Sequence, residues 1–394
     1  MRTKVEQDHI IIFPEDRIDA ANAAQVESDL EAVIAANPGK EPVIDAGALS
    51  YISSAGLRVL LKLTKSLKKP LSIRNVTPEV YDIFEVTGFT ELLDVKKKLR
   101  ELSVEGCEII GRGAIGTVYR IDDDTIVKVY EIADCLPMIE NEQKRAKQAF
   151  LKGIPTAISY DVVKVGDKYG SVFEMLKAST YNDLIVEQPE RTEEIVHQYA
   201  RFIRQLHTVE MGREELPEAK EQFLGYVDAL KTVLPEKLQK RLRSLLQAMP
   251  ENLHAVHGDI QMKNVMLSGD EPMLIDMDTL SVGDPVFDLM GLYLSYVQFG
   301  EDDPADTETF LRLSAERCQF IWRETLRSYL DSFDEAANEA AEKKIIVVAS
   351  IRFLYLIAVL GIGKPELKQI RIEHTLSRLS KLAEEVDSLE LAER

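Results

Sequence analysis

Short apolar runs alternate with amphipathic stretches along the first hundred residues. Each run is four or five residues long, as in the HIIIF segment at His9–Phe13, which is typical of buried strands. The stretches between them carry apolar residues at a spacing of three to four, which predicts helices. The predicted strands are 9–13, 42–45 and 71–74, and the predicted helices are 19–34, 53–69 and 78–86. This alternation predicts a small α/β domain with helices packed on a sheet.

The pattern changes after residue 100. A strand, a glycine-containing turn and a second strand occupy residues 108–119, and a further strand at 126–130 precedes a helix at 136–152. Beyond this point the apolar residues recur at helical spacing, most clearly in Glu193–His207. We therefore predict an α/β domain at 1–100, an antiparallel sheet with one helix at 101–180, and a mainly helical lobe at 181–394. The last two together form an α+β unit with two lobes.

The charge of the chain is strongly negative and unevenly distributed. The net charge of the 394 residues is −19, which argues against non-specific binding to nucleic acid or to anionic membranes. Residues 1–100 carry 14 Lys and Arg against 15 Asp and Glu, whereas the remainder carries 34 against 52. The acidic second part would suit a cationic substrate, but a solvated acidic surface explains it equally well.

Cysteine content and terminal sequence predict a cytoplasmic protein. The three cysteines, Cys107, Cys135 and Cys318, are odd in number and lack metal-binding spacing, which fits a reducing compartment. The first ten residues lack the apolar core of a signal peptide. The segment Ile345–Gly363 is apolar enough to be weighed as a membrane span, but Arg352 near its centre would cost about 2.5–3.5 kcal/mol. We expect a buried helix there, and no membrane partner.

One stretch carries the chemistry of phosphoryl transfer. It is His257-Gly-Asp-Ile-Gln-Met-Lys-Asn264, followed by Leu274-Ile-Asp-Met-Asp278. Asp259 can accept the proton of an attacking hydroxyl. Asn264 and Asp276 offer hard oxygen ligands to the Mg²⁺ that bridges nucleotide phosphates. We expect His257 to hold this loop through backbone hydrogen bonds, and Asp288 to cap the following helix or to hydrogen-bond the loop.

A glycine turn upstream is consistent with a nucleotide site. Gly111, Gly113, Gly116 and Val118 form a G-x-G-x-x-G-x-V pattern between two strands. A dinucleotide-binding fold would require a helix directly after the glycines, and here a strand follows instead. The order of elements predicts a loop whose backbone covers the phosphates, followed by the strand lysine Lys128, which contacts them.

The lysine needs a carboxylate partner because it lies in an apolar strand. The helix at 136–152 offers Glu140 and Glu142, which cannot both face the site, and we favour Glu142. The segment Phe173–Leu176 is the predicted hinge, where the backbone of Glu174 and Leu176 would bind adenine.

Taken in order, these motifs resemble the aminoglycoside phosphotransferase (choline kinase-like) family over about residues 105–380. The resemblance implies a two-lobed, protein-kinase-like fold with ATP in the cleft. It makes Asp259 the catalytic base, Asn264 and Asp276 the metal ligands and Lys128 the phosphate clamp. Protein kinases have Phe-Gly where this chain has Met277-Asp278, so the role of Asp278 stays open between a second metal and the substrate.

The acceptor is predicted to be small. Only eight positions separate Asp276 from Asp284, which leaves no room for the peptide-binding and activation segment that protein kinases place there. This spacing favours a small hydroxylated acceptor bound by the helical lobe.

The first hundred residues resemble a STAS domain, the fold of anti-sigma factor antagonists. The resemblance rests on VIDAGALSYISSAGLRVLLKL and on LSIRNVTPEVYDIFEVTGFTELLDV, and covers about residues 4–97. It implies binding to an anti-sigma factor or to another STAS-binding protein, switched by phosphorylation of a serine that aligns with Ser54. Ser53 replaces the usual Asp before that serine. The alternative is that Ser53 or Ser54 only caps the helix.

Three hypotheses follow from the sequence. The first is a small-molecule kinase that carries a regulatory STAS module. The second is a kinase whose acceptor is Ser54, in its own chain or in another STAS protein. The third is a nucleotide-binding pseudokinase that acts as a scaffold.

Overall fold

A computed structural model describes residues 1–6, 8–113, 115–133, 135–212 and 215–391. The strands in these ranges, in chain order, are β1 Arg2–Val5, β2 His9–Phe13, β3 Arg17–Ile18, β4 Glu41–Asp45, β5 Tyr51–Ile52, β6 Ser72–Val76, β7 Asp94–Lys97, β8 Arg100–Glu101, β9 Glu108–Arg112, β10 Gly116–Arg120, β11 Thr125–Tyr130, β12 Asp161–Val165, β13 Lys168–Glu174, β14 Ser179–Thr180, β15 Ala255–Val256, β16 Val265–Ser268, β17 Glu271–Leu274 and β18 Ser281–Val282.

The helices are named in the same way. They are α1 Ala23–Ala35, α2 Ser54–Leu67, α3 Pro78–Val86, α4 Phe89–Leu92, α5 Leu136–Leu151, α6 Tyr181–Glu187, α7 Thr192–Leu206, α8 Ala219–Ala229, α9 Glu236–Ala248, α10 Val286–Tyr293, α11 Phe299–Glu301, α12 Pro304–Leu311, α13 Ala315–Leu330, α14 Glu335–Leu354 and α15 Lys368–Glu385. The structure also contains short 3₁₀ turns at 189–191, 262–264, 277–279 and 365–367. π-Helical turns occur at 294–298 and 355–359.

The chain divides into two compact units, one of residues 1–103 with 162–167 and one of residues 104–161 with 168–394. The first unit is built on a sheet of strand order β1-β2-β4-β6-β7, in which only the β1–β2 pair is antiparallel. The central strands are buried, as Ile10–Ile12 and Ile44 illustrate, because helices cover parallel strands. The predicted strands and helices all form, and α1 begins at Ala23 instead of residue 19.

The second unit begins with antiparallel strands in the order β13-β11-β10-β9, followed by helices. A strand does follow the glycine turn, as the sequence predicted. The apolar segment at 345–363 forms the end of α14 and a π-helical turn, and its residues Ile345–Ile351 lie largely in the core. Among the described residues, no helix combines the length and the apolar character that a membrane crossing requires.

Candidate active site

A tight hairpin brings the two predicted metal ligands together. Strands β16 and β17 pair with Val265 opposite Leu274, so the residues that flank them, Asn264 and Ile275, lie side by side. The Ile275 N–H donates to the Asn264 carbonyl at 3.0 Å. Asp276 follows in the left-handed conformation (φ 58°), which aspartate tolerates better than most residues. The hairpin therefore places Asn264 beside Ile275, the residue that precedes Asp276.

Asp288 organises the backbone of the loop that carries Asp259, the predicted catalytic loop. Its carboxylate is fully buried and accepts hydrogen bonds from the N–H groups of His257 (2.9 Å) and Gly258 (2.5 Å). It also accepts a hydrogen bond from His207 Nε2 at 2.9 Å. Gly258 has φ 81°, and a Cβ there would lie 2.8 Å from the Thr279 carbonyl oxygen. The prediction that Asp288 hydrogen-bonds the loop is confirmed.

His257 serves as a structural link in the loop. Its Nδ1 accepts the N–H of Asp259 (3.3 Å), so Nε2 carries the proton and donates to the Ile275 carbonyl at 2.9 Å. The histidine thus links the loop that carries Asp259 to Ile275, the residue before Asp276. This confirms the backbone-holding role predicted for it.

Asp259 is held in one orientation by two amides. Its Oδ2 accepts from Gln261 Nε2 at 3.1 Å and from Asn264 Nδ2 at 3.0 Å, which leaves Oδ1 for an acceptor hydroxyl. Because Asn264 also donates Nδ2 to the Asp259 carbonyl (2.9 Å), its amide oxygen is the atom that could bind a metal. Burial raises the pKa of Asp259, with the nearby Asp278 and Asp276 contributing in the same direction. A raised pKa makes this carboxylate a stronger base.

Lys128 contacts two carboxylates. The favoured Glu142 lies 3.6 Å away, and the ammonium also hydrogen-bonds Asp276, which was not predicted. Burial alone would lower the pKa of Lys128, but Asp276 and Glu142 outweigh it and raise the pKa above its usual value. Glu142 in turn accepts the hydroxyl of Tyr130 at 2.8 Å, while burial raises the pKa of its carboxyl. The site thus holds its lysine charged.

The structure adds Arg145 to the predicted residues. It lies one turn after Glu142 on α5, and its guanidinium donates to the carbonyl of Asp278. Glu142 and Arg145 are three residues apart, so they lie on one face of the helix. This spacing could have predicted from the sequence that Arg145 lies near the site of Glu142. The Asp278 side chain is partly buried, and burial raises the pKa of its carboxyl, with the nearby Asp276 adding to the effect. A cation between these carboxylates would relieve their repulsion.

The glycine turn joins β9 to β10, and β10 pairs with β11, the strand of Lys128. Gly111 pairs with Val118, and Val118 pairs with Lys128 across β10 and β11. The Gly113 N–H closes the turn on the Gly116 carbonyl at 2.9 Å. A Cβ at Gly116 would lie 2.6 Å from the Val129 carbonyl oxygen, so this position requires glycine.

The predicted hinge follows β13 directly. Glu174 is the last residue of β13 and pairs with Thr125. Met175 donates its N–H to the Asp124 carbonyl at 2.8 Å, so this group is already engaged. Glu174 and Leu176, on either side, remain the predicted adenine contacts.

Ser53 and Ser54 have different surroundings in the first unit. Ser53 caps α2, accepting from the N–H groups of Ala55 (3.2 Å) and Gly56 (3.4 Å). Ser54 is the first residue of the helix and is exposed, and in the described part of the chain its hydroxyl makes no hydrogen bond. The cap is therefore Ser53, and the hydroxyl of Ser54 is accessible.

Several known proteins are similar to this chain. One relative is "Putative anti-sigma factor antagonist BtrV" of Bordetella bronchiseptica, which is 38% identical to this chain over 81 residues. The aligned residues make up 20% of this chain and 69% of that protein. Solved structures include aminoglycoside phosphotransferase APH(2'')-Ib with ADP (17% identity, 77% of this chain and 98% of that one, TM-score 0.46). Another is a choline/ethanolamine kinase family protein from Mesorhizobium loti (18% identity, 71% and 88%, TM-score 0.45).

Two family models define the class of the protein. The model of the phosphotransferase enzyme family (APH) matches residues 106–326, and that of the STAS domain matches residues 1–102. The chain belongs to the phosphotransferase enzyme family and carries a STAS domain ahead of the phosphotransferase domain. Both predicted resemblances, and the predicted fold class, are confirmed.

Proposed function

We propose that the protein transfers the γ-phosphoryl group of ATP to a hydroxyl of a small molecule. The observation that carries this proposal is the arrangement of four residues in the second unit: Asn264 hydrogen-bonds Asp259, Lys128 hydrogen-bonds Asp276, and the backbone bond from Ile275 to Asn264 links the two pairs. Asp259 is the base, Lys128 contacts the phosphates, and Gly111, Gly113, Gly116 and Val118 cover them. The backbone of Glu174 and Leu176 binds adenine.

The donor set fits Mg²⁺. The Asn264 amide oxygen and the Asp276 carboxylate are hard oxygen ligands on adjacent segments, and the partly buried Asp278 carboxyl is a further acidic group in the same turn. When bound, the ion would neutralise charge on the β- and γ-phosphates. Arg145 fixes the turn that bears Asp278, and Glu142 orients Lys128.

The reaction follows from the position of Asp259. Its Oδ1 accepts the proton of the acceptor hydroxyl while the hydroxyl oxygen bonds to the γ-phosphorus and the bond to the ADP oxygen breaks. The products are ADP, the phosphorylated acceptor and one proton. A small acceptor is favoured because the chain from Asp276 passes through the short strand β18 to α10 within ten residues, which excludes a peptide-binding segment.

Phosphoryl transfer and nucleotide binding, measured in two variants, test this proposal. Asp259→Ala should abolish ATP-dependent transfer and leave nucleotide binding largely intact, since the proposed contacts to ATP come from Lys128, the glycine turn and the hinge. Asp276→Ala should weaken the Mg²⁺-dependent part of nucleotide binding. Transfer that survives in Asp259→Ala would show that the site is wrongly assigned, and Mg²⁺-independent binding without turnover in the wild type would favour the scaffold hypothesis.

A second candidate acceptor is Ser54 of a STAS domain, in the same or another chain. The position of Ser54 favours this candidate, because its hydroxyl is exposed and does not cap the helix. A phosphate at a helix N-terminus is stabilised by the free N–H groups there. Phosphorylation would then control binding to an anti-sigma factor or another STAS-binding protein. Intact-mass analysis after incubation with ATP and Mg²⁺ tests this. A phosphoryl group mapped to Ser54, and absent from Asp259→Ala, supports this candidate, whereas an unchanged mass rejects transfer within or between copies of this chain.

A further inference from the structure

Arg352 lies in an aromatic setting on the helical lobe. It is on α14 and donates Nη1 to the hydroxyl of Tyr226 on α8, at 2.5 Å. Its guanidinium lies 4.9 Å from the ring centre of Tyr226 and 6.0 Å from that of Tyr355, and the two rings are 4.3 Å apart. Tyr355 begins a π-helical turn, a distortion that is frequent at functional sites. We call these three residues the Arg352 cluster.

The guanidinium has no carboxylate partner. Within the ranges that the structure describes, no Asp or Glu oxygen lies within 4.0 Å of Arg352. In the same lobe the buried Arg371 pairs with Asp306 (2.5 Å) and the partly buried Arg378 pairs with Glu301 (2.6 Å), whereas Arg241 donates to the backbone carbonyls of Ala383 and Val386. A partly buried cation without a counter-ion is costly, and Arg352 retains donors in the planar geometry that matches carboxylate and phosphate groups.

The helices that carry the Arg352 cluster, α8 and α14, pack against α10, which contacts the loop of Asp259. Phe223, one turn before Tyr226 on α8, packs on Phe287 of α10 with ring centres 4.9 Å apart. Further along α10, a Cβ at Gly291 would lie 3.7 Å from the Cα of Asp259. Burial raises the pKa of Tyr226, and Asp278 adds a smaller increase, so Asp278 lies within electrostatic range of the cluster.

We propose that the Arg352 cluster binds an anionic group of the acceptor, so that the acceptor is a small hydroxylated compound bearing a carboxylate or phosphate. This rests on the proposed phosphotransfer at Asp259. The cluster fixes one end of the molecule while its hydroxyl meets Asp259 at the other. A cationic acceptor would be repelled by Arg352, so the acidity of residues 101–394 does not set the substrate class.

Steady-state ADP release by the full chain tests this, with four probe acceptors. Glycerate and glycerol 3-phosphate carry the two anionic groups, glycerol is their neutral counterpart, and choline is cationic. We expect stimulation by an anionic probe only. Arg352→Gln should raise the KM for that probe on the order of 10- to 100-fold, as expected for a lost charge-assisted contact, with a smaller change in kcat. Arg352→Lys should recover part of the loss, and the paired Arg378→Gln should behave as the wild type.

A binding measurement covers acceptors outside this panel. With ADP and Mg²⁺ saturating, inorganic phosphate should raise the melting temperature of the wild type and of Arg378→Gln, but not of Arg352→Gln. Stimulation by choline, or neither anionic stimulation nor a phosphate effect that depends on Arg352, overturns the proposal. Failure of the phosphotransfer itself has a different signature, since basal ADP release would then be the same in the wild type and in Asp259→Ala.

Discussion

Asp288 offers the sharpest test of how the catalytic loop is held, through the substitution Asp288→Asn. The wild-type carboxylate is fully buried and meets three donors, from His257, Gly258 and His207. Oδ2 accepts two of these bonds and Oδ1 accepts one. Asparagine keeps one acceptor oxygen and presents an NH₂ group to the remaining donors.

The magnitude follows from this count. A buried donor left without an acceptor costs about 1–3 kcal/mol, and asparagine leaves at least one donor facing an N–H group. We therefore expect Asp288→Asn to lower the free energy of unfolding by about 3 kcal/mol, and Asp288→Ala, which removes both oxygens, by about 5 kcal/mol. Because Gly258 precedes Asp259, kcat should fall as well.

Tryptophan fluorescence during urea unfolding measures this cost. The chain has one tryptophan, Trp322, which is buried in α13, so its emission reports on the second unit. Asp270→Asn, at an exposed turn between β16 and β17, is the matched control and should change stability by less than about 0.5 kcal/mol. A loss below about 1 kcal/mol in Asp288→Asn would refute the role assigned to this carboxylate.

Three further predictions address other parts of the chain. Burial raises the pKa of Asp284 from 3.8 to about 6, so the stability that its proton provides is present below pH 3.8 and is lost as pH rises through about 6. Asp284→Asn should therefore remove the fall in unfolding free energy across that window, and an unchanged pH slope would contradict this. Lys128→Met should cost about 3–5 kcal/mol because Glu142 is left buried without a counter-ion, and adding Glu142→Gln should recover part of it. A double variant whose cost equals the sum of the singles would argue against the pair. Ser53→Ala should destabilise α2 by about 1 kcal/mol and Ser54→Ala should not, as hydrogen exchange over residues 54–67 would measure; equal effects would mean that the cap is misassigned.

Much of the candidate site was predictable because its members are close in sequence. Asp259, Asn264 and Asp276 lie on one loop and one hairpin, so their spacing and the strand pattern bring them together. The glycine turn was distinguished from a dinucleotide site by the strand that follows it, which the apolar pattern of Ile126–Tyr130 already indicated.

The helix caps show how local sequence can still mislead. Asp19 was the expected start of the first helix, yet α1 begins at Ala23 and the carboxylate of Asp19 accepts the N–H of Ala21 instead. Ser53 and Ser54 could not be distinguished by propensity, because both residues favour a cap. The structure separates them, since only Ser53 has the extended backbone (ψ 173°) that points its oxygen at the free N–H groups.

Local periodicity and short spacings were therefore enough to predict the two families, the order of elements, and the loop and hairpin that carry Asp259, Asn264 and Asp276. The contacts between residues that are distant in sequence are visible only in the folded chain. Lys128 meets Asp276 across 148 positions and Arg145 meets Asp278 across 133, while Arg352 reaches Tyr226 across 126. The physical reason is that helix packing, driven by burial of apolar surface over the whole lobe, sets which distant side chains face one another. No local pattern carries that information.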